Sequence, residues 1–169
     1  LLVDAGISGK RIEFGLNEID RTTADIDAIL ITHEHSDHIK GLGVVARKYK
    51  IPIYATAGTI DALLAMNSLG KMPEGIFHEI REDEPCVIRD IAVHPFSISH
   101  DAAQPVGYRL ENGGKRIGIA TDMGQYDDYI IENLSELDGL LLESNHDVNM
   151  LQGGRYPYYL KQRILGCRG

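Results

Sequence analysis

Apolar and polar residues fall in short blocks along the chain, and the blocks read as strands and helices in turn. Leu1-Leu2-Val3 is an apolar run halted by Asp4-Ala5-Gly6, and Ser8 is placed to cap a helix carrying Ile12, Leu16 and Ile19 on one face. Ala28-Ile29-Leu30-Ile31 is apolar without alternation, as a strand buried on both faces must be. A helix starting near His38 follows, with Ile39, Leu42, Ala46 and Tyr49 inward and Arg47, Lys48 and Lys50 on a solvated face. Ile51 to Ala55 reads as a strand, and Thr59 to Leu69 as a helix closed by Gly70. From Cys86 to His100 the chain alternates loosely in strand fashion. Pro105 to Leu110 and Lys115 to Ala120 flank Asn112-Gly113-Gly114, a hairpin signal because Asn-Gly supplies positive φ angles. A helix with Tyr126, Ile130, Leu134 and Leu137 and a buried strand at Gly139-Leu140-Leu141-Leu142 complete an α/β pattern with no residue-level repeat.

Composition narrows the class. The chain has 169 residues, of which 43% are apolar, enough for one substantial core and incompatible with disorder. Residue 1 is Leu rather than Met and already reads as strand interior, so residues 1–169 are expected to be one domain cut from something longer. No apolar run approaches a membrane span, which predicts a soluble protein with no membrane partner. Two cysteines, Cys86 and Cys167, offer neither a zinc spacing nor a disulfide framework and favour a reducing, cytoplasmic setting. The net charge of −8 argues against broad attraction to nucleic acid, but no acidic residue follows Asp147. There Arg155, Lys161, Arg163 and Arg168 lie among Tyr156, Tyr158 and Tyr159. That tail suits nucleic-acid backbone contacts and base stacking, or equally an amphipathic helix with its tyrosines packed inward.

The chemistry concentrates in Thr32-His33-Glu34-His35-Ser36-Asp37-His38, directly after the second apolar run. Extended backbone sends alternate residues to the same side, so His33 and His35 can grip one cation. Where the chain turns into a helix, Asp37 and His38 shift to face a second position. Two cations roughly 3.5–4 Å apart can share a hydroxide and clamp the attacking and leaving oxygens of a displacement. The bland alternative is a solvated loop that happens to be rich in histidine.

This run resembles the metal-binding signature of the metallo-β-lactamase superfamily. The resemblance implies a four-layer αββα sandwich with a dinuclear site at one edge of the sheets, here without its outermost N- and C-terminal elements. It further implies that His100 is the third imidazole of the first metal, with His78 and His94 as rivals, and that Asp122 bridges both metals. Asp4 would stand behind the site and orient a ligand histidine, unless it only caps a strand. The segment Glu143-Ser144-Asn145-His146-Asp147 offers His146 as a general acid, a phosphate contact or a structural residue, and Asp37 and His146 are taken as the catalytic pair. The words around His100, Asp122 and Glu143, with Tyr156-Pro157 and Leu160 to Ile164 after them, are similar to the YycJ (WalJ, VicX) family. That similarity implies an exonuclease working on double-stranded DNA from the 5′ end with manganese or zinc; iron fits the ligand types too. The family's pattern supplies a last histidine to the second metal beyond Leu165-Gly166, and no histidine follows here, which leaves Asp37, His38 and Asp122 for that site. A hydrolase of small or cyclic phosphodiesters is the rival reading, and a redox or partner-binding use of the metals the third.

Overall fold

The computed structural model describes residues 1–143 and 147–168. Strands β1 (Leu2–Val3), β2 (Ile29–Leu30), β3 (Ile53–Thr56) and β4 (Phe77–Ile80) form a parallel sheet in that order. Their connections carry helices α1 (Gly9–Asn17), α2 (Ser36–Ile39), α3 (Leu42–Tyr49) and α4 (Ala57–Ala65). A second sheet holds β5 (Cys86–Ile88), β6 (Ile91–Ser97), β7 (Val106–Asn112), β8 (Lys115–Ala120) and β9 (Gly139–Leu142). Its pairings are antiparallel up to β8, and β8 runs parallel to β9 through the crossover helix α5 (Asp128–Asn133).

The second apolar run shows why the fold is layered. Ile29 and Ile31 pack with Ile12, Leu42, Val45 and Leu63 under the helices, while Ala28 and Leu30 point the other way, against Val93, Val106 and Tyr108 of the second sheet. All four residues of the run are fully buried, so continuous hydrophobicity is what a period of two requires here. Phe96, Ile98 and Ala120 leave the second sheet on its far side to meet Ile130 of α5. The result is helix, sheet, sheet, helix. Tyr108 ties the two sheets together by donating its buried hydroxyl to Ile31 O at 2.6 Å.

Several expected elements changed in detail. The helix expected from His38 to Tyr49 is broken, because Gly41 N turns away to donate to Ala5 O. A Cβ on Gly41 would lie 2.1 Å from Ile7 O, so only glycine permits this approach. The helix expected from Thr59 to Leu69 starts earlier and ends at Ala65, passing into a short 3₁₀ turn over Asn67–Leu69. In the hairpin, Asn112 still pairs with Lys115, and the positive φ angles belong to Gly113 and Gly114. Strand β4 had no counterpart in the sequence reading. The strand over Gly139–Leu142 exists but is not buried: Leu140, Leu141 and Leu142 are 47%, 61% and 50% exposed, and among the described residues β9 pairs with β8 alone. Beyond β9 come α6 (Val148–Gly153) and α7 (Tyr158–Ile164); Tyr156 between them and Tyr158 and Tyr159 at the start of α7 also face outward, against the inward-packing alternative. No described helix is long and apolar enough to cross a membrane.

Candidate metal centre

Strands β1, β2, β6, β8 and β9 each release a polar residue or segment at the carboxyl end: Asp4, Thr32 to His38, Ser99 to Gln104, Asp122 and Glu143. Within the second sheet β6, β8 and β9 share one direction, because two antiparallel steps restore it. Their ends therefore meet at one edge, where loops of an α/β sheet gather ligands. Asp4 and Asp122 leave their strands in the left-handed region, at φ 57° and 55°, a conformation that aspartate tolerates better than bulkier residues.

Two groups of ligand atoms result. His33, His35 and His100 form one, and His33, His38 and Asp122 the other, the atoms of each lying within 4.8 Å of one another. His35 Nδ1 is 3.1 Å from His33 Nε2 and 3.1 Å from His100 Nε2. Two nitrogens bound to one tetrahedral zinc ion stand about 3.3 Å apart. The spacing thus fits a first-row cation with little movement.

Hydrogen bonds fix which nitrogens carry lone pairs. Asp4 Oδ1 accepts from Thr32 N at 2.9 Å, and Oδ2 accepts from Thr32 Oγ1 and from His38 Nδ1, each at 2.8 Å. The only proton on Thr32 Oγ1 is committed to Asp4, so the oxygen accepts from His33 Nδ1 at 3.0 Å. Both His33 and His38 therefore hold their protons on Nδ1 when neutral and present Nε2 inward. Burial, reinforced by the charges of His38 and His100, pushes His33 down to about 3, which keeps its lone pair available. Burial also opposes a charge on His38, but its bonds to Asp122 and Asp4 prevail and raise it to about 10. Asp122 has the mirror behaviour: burial favours the acid, and the hydrogen bond from His38 outweighs it and lowers the carboxyl to about 2. Nε2 of His38 and Oδ2 of Asp122 are 3.0 Å apart, so a cation entering there displaces a proton.

Other expected residues are placed differently. Asp37 stands outside both groups, with its side chain 76% exposed and Oδ2 3.9 Å from His38 Nε2. It nonetheless lines a cavity of about 400 Å³ with His35, His100, Asp122, Leu160 and Arg163. Arg163 pairs with Asp101, at 2.5 Å from Nε to Oδ2 and 2.7 Å from Nη2 to Oδ1, and the guanidinium holds that carboxyl below the usual range. Lys161 Nζ donates to Gln152 O at 2.6 Å, so it is tied to α6, and Arg155 is exposed before α7. His146 lies outside the described residues. The rivals of His100 go elsewhere: His78 stacks on Tyr54 at 4.8 Å, and His94 lies 3.9 Å from Glu111.

The sequence reading overlooked the supports of the site. Glu34 Oε1 accepts from Ala103 N at 2.8 Å, and Gln104 is held by Gly58 N, Thr56 Oγ1 and Thr59 Oγ1 at 2.9, 2.7 and 3.2 Å. These bonds pin the segment that follows His100. Alternation gave one available hint, since it sends Glu34 away from His33 and His35 toward another element. Glu143 Oε2 accepts from Asp122 N, steadying the left-handed turn.

Comparison with known proteins agrees with this geometry. Residues 1–155 match the family described as the β-lactamase superfamily domain. The chain belongs to the β-lactamase superfamily. The exodeoxyribonuclease WalJ of Streptococcus pneumoniae serotype 2 (strain D39 / NCTC 7466) is 45% identical over all 169 residues of the chain, which cover 63% of that protein. The exodeoxyribonuclease YycJ of Bacillus anthracis is 42% identical over the same 169 residues, again 63% of its length. The chain thus spans less than two thirds of the length of these curated relatives. Among solved structures, Zn(2+)-bound PqqB from Methylobacterium extorquens superposes with a TM-score of 0.80 at 18% identity, covering 97% of this chain and 62% of that one. This likeness extends the superfamily assignment to the three-dimensional fold.

Proposed function

We propose that the protein hydrolyses phosphodiester bonds and acts as an exonuclease on double-stranded DNA from the 5′ end, using two divalent cations, manganese or zinc. The observation that carries this reading is the pair of ligand groups hinged on His33, one all imidazole and one with a carboxylate. Nitrogen and carboxylate donors without thiolate suit zinc, manganese or iron. Bound cations would supply an activated water at neutral pH and stabilise charge on the phosphoryl oxygens. His33, His35 and His100 would hold one ion, and Asp37 and His38 the other, with Asp122 serving both.

The remaining work falls to the chain's own residues. Asp4 keeps the proton of His38 on Nδ1 directly and that of His33 on Nδ1 through Thr32, so that both rings direct lone pairs inward. Glu34 and Gln104 keep His100 in register. Asp37, at the mouth of the cavity, would help hold the second ion and so orient the attacking water. His146 is proposed as the acid for the leaving oxygen. The names of the relatives at 45% and 42% identity support DNA as the substrate.

The test is a 5′-phosphorylated, end-labelled duplex incubated with manganese and either the wild-type protein or Asp122→Ala. Progressive release of label by the wild type and none by the variant is the expected result. Two metals per chain with no release from either protein would overturn the nuclease reading. Bis(p-nitrophenyl) phosphate and cyclic nucleotides would then be the next substrates.

A further inference from the structure

Helix α7 brings Leu160, Arg163 and Ile164 to the cavity that His35, Asp37, His100 and Asp122 line from the other side. Among the described residues that line it, Arg163 is the sole lysine or arginine. Its guanidinium engages Asp101, the residue after the ligand candidate His100, through Nε and Nη2. A guanidinium has five N–H groups in a fixed fork, so this side-on pairing leaves the edge formed by Nη1 and the second hydrogen of Nη2 for another acceptor. The two nonbridging oxygens of a phosphodiester match that edge in spacing and charge.

The surroundings require such a group. Asp37 and Asp122 line the cavity and Asp101 adjoins it, so a nucleic-acid strand approaches an acidic rim. Asp101 and Arg163 have side chains 35% and 46% exposed, so water screens the pair. The pairing still fixes the direction of the guanidinium. The two other basic residues considered for the tail do not share this position, since Lys161 is tied to Gln152 O and neither it nor Arg155 lines the cavity.

We infer that Arg163 is the phosphate contact of the metal centre and that Asp101 is the positioning residue that aims it, an assignment that rests on the phosphodiester reading above. The contact is to one diester of the DNA backbone, the one presented to the cations.

The experiment measures equilibrium binding of a short 5′-phosphorylated duplex to the metal-loaded, full-length protein by fluorescence anisotropy over a range of salt, with steady-state kinetics and metal content alongside. Arg163→Gln is expected to weaken binding about 10- to 100-fold, as loss of a charge-assisted bond does. It should also reduce the salt slope by about one, with metal content retained. Arg163→Lys keeps the slope and recovers only part of the affinity, because an ammonium lacks the fork. Asp101→Asn leaves the guanidinium its charge but takes away its aim, and is expected to weaken binding about threefold with the salt slope unchanged. A purely structural pair would instead make Arg163→Gln and Asp101→Asn weaken binding equally with the salt slope unchanged in both, and that result, or loss of metal from Arg163→Gln, overturns the assignment. If the wild type ignores DNA but turns over bis(p-nitrophenyl) phosphate, the DNA reading fails alone. The Arg163 contact is then judged by whether Arg163→Gln raises KM for that diester while kcat holds. A wild type inert toward every phosphodiester removes both.

Discussion

Replacing Asp4 by asparagine tests how the ligand histidines are oriented, because the side chain keeps its size but turns one acceptor into a donor. Asp4 accepts three hydrogen bonds, from Thr32 N at 2.9 Å and from Thr32 Oγ1 and His38 Nδ1 at 2.8 Å each. An asparagine that keeps the bond from Thr32 N points its NH2 at the other two donors. His38 can relieve the conflict by moving its proton to Nε2, the atom 3.0 Å from Asp122 Oδ2, and Nε2 then has no lone pair for a cation. Carboxylates in this supporting position are worth about 10- to 100-fold in metal affinity, equivalent to about 1.4–2.8 kcal/mol. The metal-free protein loses two bonds to a charged acceptor whose side chain is only 17% exposed, so its unfolding free energy should fall by about 2–4 kcal/mol. Competition against a chelating dye reads the first quantity and urea unfolding the second. The ion at His38 and Asp122 should be weakened more than the one at His33, His35 and His100, because His38 bonds Asp4 directly and His33 only through Thr32. An asparagine variant that binds both ions as tightly as the wild type would refute the tautomer control assigned to Asp4.

Two further outcomes follow from the same region. Gly6→Ala would place a Cβ 1.5 Å from Asp37 O, against backbone that cannot yield without moving the ligand loop; a loss of about 3 kcal/mol or more in urea unfolding is expected, together with weaker metal binding, and a variant as stable as wild type would contradict the close packing of that turn. In the metal-free protein His38 is raised from 6.5 to about 10 and Asp122 lowered from 3.8 to about 2. The His38 contribution to stability is therefore complete below pH 6.5 and lost as pH rises through about 10, and that of Asp122 is complete above pH 3.8 and lost as pH falls through about 2. Urea midpoints of chelator-treated protein should decline on the alkaline side over that interval, and zinc should abolish the decline by displacing the His38 proton; a flat alkaline limb in the metal-free protein would count against the His38–Asp122 pair.

The legible parts of the sequence were those in which local pattern and local chemistry coincide. Ala28 to Ile31 could be read as a doubly buried strand because every residue of a central strand meets a hydrophobic layer. Histidines at alternate positions just after it announced a ligand loop for the same reason of backbone geometry. Leu140 to Leu142 misled, since three leucines in a row record a demand for burial without recording which surface meets it, and among the described residues β9 has β8 alone beside it. Phe77–Ile80 went unnoticed as a strand because its pattern is mixed, with Phe77 and Ile80 turned to different layers and His78 and Glu79 exposed at the sheet edge.

By itself the sequence determined the α/β alternation, the strand ends where polar groups emerge and the chemical types of the ligands, all of which depend on neighbours a few residues away. Only the tertiary structure decided which ligands converge. Asp4, His100 and Asp122 are far from the histidine loop along the chain and reach it because β6 and β8 share a direction and the two sheets face each other across Leu30, Val106 and Tyr108. It also decided that Asp37 stands at the cavity mouth, that Asp4 holds His38 directly and His33 through Thr32, and that Arg163 leaves the solvated tail for the metal centre. Those outcomes turn on distances of a few ångströms between segments fixed by the register of whole sheets, and no local pattern of hydrophobic and polar residues encodes that register.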